Sequence, residues 1–80
     1  MTMGEAVAKR IDEYLNIKGM SLYKLAKESG LPVSTLQNLY RRHTKSPTLT
    51  VIFKISLGLG VSVTDFLACE IFEPYSLELD

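Results

Sequence analysis

Eighty residues make one small domain, near the size where a single hydrophobic core is marginal but workable, with no space for a second, ligand-sensing domain. Nine Lys plus Arg balance nine Asp plus Glu, and a hydrophobic content of 46% argues against disorder. A lone cysteine, Cys69, excludes an internal disulfide, and the absence of a leader or a long apolar run predicts a cytoplasmic protein without a membrane span.

The first predicted helix, Glu5 to Lys18, places Met3, Val7, Ile11 and Leu15 at i, i+4 spacing, with Lys9, Asp12 and Glu13 outward. Glu5 near its start and Lys18 near its end complement the helix dipole, and Gly19 terminates it. This segment reads as core scaffolding, with Arg10 and Tyr14 as secondary candidates for a backbone phosphate.

The stretch from Ser21 to Arg42 organises the chain. Ser21 is a good N-cap for a short helix carrying Leu22, Leu25 and Ala26 on one face. Gly30 stops that helix, because the residue just past a helix end usually needs positive φ. A second helix begins near Pro32 or Val33, anchored by Leu36 and Leu39. Ala26 is small enough for the two helices to approach, and Leu25 and Leu36 fill the angle between them. Two helices around a Gly-containing turn form a helix-turn-helix arrangement. Taken alone, the same pattern equally describes a hairpin that merely packs a core. The outer face of the second helix is short and hydrogen-bonding, which suits a major groove about 12 Å wide.

A loop, Arg41 to Pro47, follows and holds His43, the only histidine. With no second His or Cys nearby it has no metal partners, and with no positioned nucleophile it makes no triad; neither a metal site, a cofactor nor an enzyme is expected. Thr48 caps a helix that ends at Gly58 or Gly60. Its apolar residues cover roughly 240° of arc, leaving Thr50, Lys54 and Gly58. Such a helix is either wrapped by others or meets a second subunit along one flank. Ser62 caps a short helix with Val63, Phe66, Leu67 and a candidate continuation to Ile71. Pro74 closes the helical part. Tyr75, Leu77 and Leu79 then alternate with polar residues, which gives either a short strand paired with a symmetry mate or a frayed end.

Charge is unevenly placed. Residues 1–20 balance to zero, 21–46 carry five cations against Glu28, and 47–80 carry Lys54 against five acids, so the last two sums are +4 and −4. Positive charge therefore gathers on the motif, where it can orient the chain on a polyanion despite a net charge of zero. Arg41, Arg42 and Lys45 are the candidate phosphate contacts, joined by Ser21, whereas Lys24 and Lys27 read equally well as solvated.

Leu25-Ala26, Gly30-Leu31, Ser34-Thr35-Leu36 and Leu39, then Pro47, Leu49, Ile52, Lys54-Ile55, Leu59-Gly60-Val61-Ser62 and Asp65-Phe66-Leu67, are spaced in register. With these residues the chain resembles the Cro/repressor-type, lambda-repressor-like helix-turn-helix family, also called the xenobiotic-response-element type, from about Ser21 to Leu67. The resemblance implies an all-α, five-helix domain over residues 1–72, with a tail at 73–80, that binds operator DNA as a dimer. It also implies base-facing positions at Val33, Ser34 and Asn38, with Gln37 beside them. Asn and Gln can pair bidentately with adenine, and Val33 can pack on a thymine methyl. Three features depart from the family pattern: no Arg in the first turns of the second helix, Leu22 where Gln is frequent, and Arg41-Arg42 where a glycine is usual.

The expected function is a sequence-specific, repressor-like transcriptional regulator whose partners are double-stranded DNA and a second copy. The alternative is an antitoxin or other interaction module that holds a protein partner, a toxin or co-regulator, on the same fold. Apolar residues not needed by the motif, namely Val51, Leu57, Ile71, Phe72, Tyr75, Leu77 and Leu79, are the candidate dimer contacts.

Overall fold

A computed structural model describes residues 1–41 and 43–78. Five α-helices follow one another: α1 (Met3–Lys18), α2 (Leu22–Ser29), α3 (Val33–Tyr40), α4 (Leu49–Leu59) and α5 (Val63–Leu67). Two 3-10 turns, Glu70–Phe72 and Pro74–Ser76, complete the described chain.

Local chemistry sets most helix ends. Thr2 Oγ1 accepts from the Glu5 N–H at 3.1 Å while the Glu5 carboxylate accepts from the Thr2 N–H at 2.8 Å, a capping box that starts α1 two residues before the sequence pattern suggested. Ser21, Thr48 and Ser62 cap α2, α4 and α5 through their hydroxyls, as their positions predict. α4 runs past Gly58 to Leu59 and is capped by Gly60.

One core holds all five helices. Val7, Ile11 and Leu15 of α1 meet Leu25 and Ala26 of α2, Leu36 and Leu39 of α3, Ile52, Ile55 and Leu59 of α4, and Phe66 of α5. Ala6 and Ala8 are fully buried as well, on flanks of α1 that the i, i+4 line of large residues does not mark. α2 packs most extensively on α4. There the expectation that Gly58 lies on an outward face is corrected: it is buried, and a Cβ on it would come within 2.8 Å of Ser29 Cβ and 2.9 Å of Ser29 N. A hydrogen at this position lets the two helix backbones meet.

α5 has only five residues and is held by a plug and a clamp. Phe66 is fully buried, with Tyr14 and Phe72 rings at 6.2 and 6.0 Å. Arg10 donates from Nε to the Phe66 carbonyl at 2.7 Å and from Nη2 to the Asp65 carbonyl at 2.8 Å. A cation thus sits on carbonyls at the C-terminal end of a helix, where the Asp65 carbonyl also accepts from the Ala68 N–H at 3.3 Å. Its guanidinium also sits 4.7 Å from the Tyr14 ring centroid and 3.9 Å from a Glu13 carboxylate oxygen. Arg10 and Tyr14 are therefore occupied by the fold, which corrects their reading as phosphate contacts.

The C-terminal segment also departs from expectation. Ile71 belongs to a 3-10 turn rather than to α5. The tail forms no strand among the described residues; Glu78 makes a single parallel bridge to Thr2, and its N–H donates to the Met1 carbonyl at 2.8 Å. Its partner in this bridge is the chain's own first residues. Leu79 lies outside the described residues.

Candidate nucleic-acid interface

The turn between α2 and α3 is built from three residues. Gly30 adopts φ +71°, the left-handed conformation a helix stop requires, and both its N–H and that of Leu31 return to the Ala26 carbonyl. Pro32 then precedes α3 without any side-chain cap, and the Thr35 N–H of the first turn donates back to the Pro32 carbonyl at 3.1 Å.

α3 divides cleanly into two faces. Leu36 and Leu39 are buried, and the Tyr40 hydroxyl donates to the Asp12 carboxylate, tying the far end of α3 to α1. On the opposite side Ser34 and Asn38 are exposed, Val33 and Gln37 are half-buried, and Arg41 is exposed just past the last turn. Positions i, i+1, i+4, i+5 and i+8 share one helix face, so the four expected base-facing residues lie together, with Arg41 continuing their line. Val33 also packs against the core cluster, which fixes the start of this face.

The expected phosphate contacts are distributed around that face. Ser21 is exposed, its Oγ accepting from the Lys24 N–H at 3.1 Å, so its hydroxyl hydrogen is left to point outward. Lys24 pairs with Glu28 at 3.1 Å, and Lys27 is exposed. Arg42 lies outside the described residues. Lys45 is exposed on the loop after α3, and the loop is fastened at both ends. The His43 N–H donates to the Asn38 carbonyl at 2.8 Å, and the Gly4 N–H donates to the Lys45 carbonyl at 2.8 Å. His43 itself is exposed.

The sequence reading missed two features of this region. Tyr40 carries the Asp12 bond, a link across 28 residues that no local pattern announces. Gly4 seats the loop bearing Lys45: a Cβ there would lie 1.7 Å from the Thr44 carbonyl oxygen. The expected dimer contacts are dispersed. Val51 and Phe72 are half-buried against the core, and Ile71 and Leu77 are half-buried. Tyr75 is exposed, with its hydroxyl 3.5 Å from Glu70, and Leu57 is exposed on α4. Among the described residues no group of His, Cys, Asp and Glu is placed to hold a metal ion, and no helix is long and apolar enough to cross a membrane.

Residues 10–71 match the family model of the Cro/C1-type HTH DNA-binding domain. The HTH-type transcriptional regulator SinR of Bacillus subtilis (strain 168) is 32% identical over 74 residues, covering 92% of this chain and 67% of that protein. SinR of Bacillus licheniformis aligns to the same extent. The N-terminal DNA binding domain of SinR from Bacillus subtilis superposes with a TM-score of 0.72 at 32% identity, over 82% of this chain and 96% of that one. The SinR protein/SinI protein complex gives 0.69 at 30% identity, over 90% of this chain and 67% of that one.

Proposed function

This chain belongs to the Cro/C1-type helix-turn-helix DNA-binding family and is a DNA-binding transcriptional regulator; we propose that it binds sequence-specifically, as a repressor, with α3 in the major groove and α2 across the backbone. The observation that supports this reading best is the outer face of α3. Ser34, Gln37 and Asn38 stand together on a helix whose other face is sealed by Leu36 and Leu39, so the polar row is rigidly presented. Asn38 and Gln37 have the donor and acceptor pair that matches adenine, Ser34 can bond either base type, and Val33 fits a thymine methyl. Ser21, Arg41, Arg42 and Lys45 take the flanking phosphates, which position the protein without reading sequence.

Residues 1–72 form the DNA-binding domain and 73–80 its tail. The domain reaches one half-site; a two-fold dimer reaches two, about 34 Å apart. The protein acts in the cytoplasm by binding alone, without cofactor or catalysis. A protein partner fits the same reading, since its relative SinR is found in a complex with SinI.

Retardation of promoter fragments at about 50 and 200 mM salt tests the proposal, because six to ten phosphate contacts cost about 10³–10⁵ in affinity over that range. Asn38→Ala is expected to lower affinity for the preferred fragment by about 1–3 kcal/mol and leave random DNA unaffected. Arg41→Ala should weaken both alike and flatten the salt slope by about one. Salt-independent binding, or none to any fragment, would refute DNA recognition. Equal loss on all fragments for Asn38→Ala would remove it from base reading.

A further inference from the structure

Away from the α3 face, one cleft joins segments that are far apart in the chain. It has a volume of about 450 Å³ and lies between the first turn of α1, residues 45–47 of the loop, the first part of α4 and the tail. Hydrogen bonds fix its walls before any ligand arrives. The Gly4 N–H donates to the Lys45 carbonyl and the Glu78 N–H to the Met1 carbonyl, both at 2.8 Å. Its apolar lining is Met3, Pro47, Leu49 and Ile52, while Lys45, Ser46 and Glu78 bring polar groups. A preformed hollow of this size, which sets apolar side chains beside a few convergent polar ones, has the form of a small-molecule site.

We propose that this cleft binds a small apolar carboxylic acid in its ionised form, and that the bound acid opposes DNA by neutralising Lys45. The inference deepens the proposed function and rests on its reading of Lys45 as a phosphate contact. Charge selects the head group. The Lys45 ammonium has no ion-pair partner among the described residues, whereas a Glu78 carboxylate oxygen lies 3.8 Å from the Met1 amino group. The unanswered charge in the cleft is therefore positive and calls for an anion. Lys45 and the Ser46 hydroxyl suit one carboxylate. A phosphate dianion needs more donors, and the nearby backbone amides are already engaged: Thr2 N–H with the Glu5 carboxylate, Glu5 N–H with Thr2 Oγ1, and Gly4 N–H with the Lys45 carbonyl. Glu78 on the same wall also opposes a second negative charge. The lining selects the body. Ile52 is buried, Met3 is half-buried and Leu49 is 63% exposed, so an alkyl chain laid across them removes apolar surface from water. A carboxylate on Lys45 then competes with a DNA phosphate for one ammonium group, which takes away one of the contacts that release counterions.

Titration of the full chain with sodium octanoate, followed by amide-resolved NMR without DNA, tests the site. Octanoate has about ten non-hydrogen atoms and is expected to bind at about 1 mM or tighter. The amides of Met3, Ser46, Leu49 and Ile52 should move. Acetate at the same concentration should leave them in place, and octylamine should bind about fivefold more weakly or worse. Lys45→Gln should weaken octanoate about fivefold, and Glu78→Gln should tighten it about twofold. Both side chains are exposed, so neither exchange threatens the fold. On DNA at about 50 mM salt, about 5 mM octanoate should lower wild-type affinity about threefold, while acetate should not and Lys45→Gln should no longer respond. Unmoved cleft amides, shifts centred on Leu57 and Val63 instead, or undiminished octanoate binding by Lys45→Gln overturns the site. Octanoate that binds in the cleft yet leaves retardation of a bound fragment unchanged overturns the opposition to DNA. A peptide ending in a free leucine carboxylate that binds where octanoate does not overturns the proposal in favour of a protein terminus. The DNA-binding reading fails separately, if octanoate binds in the cleft but the free protein retards no fragment.

Discussion

At Gly4 a single hydrogen decides whether the loop after α3 can reach α1. Any side chain there meets the Thr44 carbonyl oxygen, and backbone cannot fold away as a flexible side chain can. Gly4→Ala must therefore lift the loop and break the bond from the Gly4 N–H to Lys45. The expected loss is about 1–3 kcal/mol, from overpacking and a missing hydrogen bond, or several degrees in a thermal melt. Affinity for random DNA should fall with it, since Lys45 leaves its position. A melt and a DNA titration of the same preparation check both effects. Gly30 and Gly4 show what sequence reveals at this scale. Gly30 is legible because the turn it makes lies between two helical patterns only eight residues long. Gly4 meets a segment forty residues away, and before a helix it looks like any other opening residue.

The same distinction holds for whole elements. Three of the five helices announce themselves through a Ser or Thr cap beside an apolar period, and Ser21, Thr48 and Ser62 stand where they were read, whereas the Thr2 cap of α1 went unread. What holds α5 in place is less legible, since Arg10 reaches carbonyls 55 and 56 residues away. Carbonyls carry no side-chain signature, so an Arg on a helix reads as solvated or as a phosphate contact until its neighbours are placed. Arg10→Met keeps most of the aliphatic stem and removes the clamp. Hydrogen bonds from a charged donor contribute about 1.5–3 kcal/mol each, and with the exposed bond to Asp65 weakened by solvent a loss of about 2–4 kcal/mol is expected. Urea unfolding should show a lower midpoint with an unchanged slope, and the folded fraction should bind DNA as before. The candidate site was more legible than its support: the outer polar face of α3 needed only helical spacing, and its proposed base-facing role only the family resemblance, whereas its brace, Tyr40 to Asp12, needed the fold. The exposed stripe of Leu49, Phe53 and Leu57 on α4 was half visible. Its excess of apolar arc was plain, but which flank stays bare depends on α2 taking the Gly58 side and α5 taking the other.

Across the whole chain, a cationic middle of +4 and an acidic end of −4 cancel in the sum but not along the sequence, and a separation of this kind can orient a protein on a polyanion. The first turn of α1 lies between these two regions. Thr2 takes the tail in a bridge with Glu78, and two residues on Gly4 takes the loop that carries Lys45. Two segments far apart in sequence thus lean on one turn, and free energy given to either is shared with the other as a common opening equilibrium. DNA that binds only the closed form should stabilise the whole unit by mass action. The Gly4 and Glu78 amides should then exchange with solvent at similar rates in free protein and slow together when DNA is added, which amide-resolved hydrogen exchange can follow. If Gly4 slows while Glu78 does not, the unit is two independent latches. If they slow together, occupancy of the operator is registered at the tail, on a residue outside the proposed contact set.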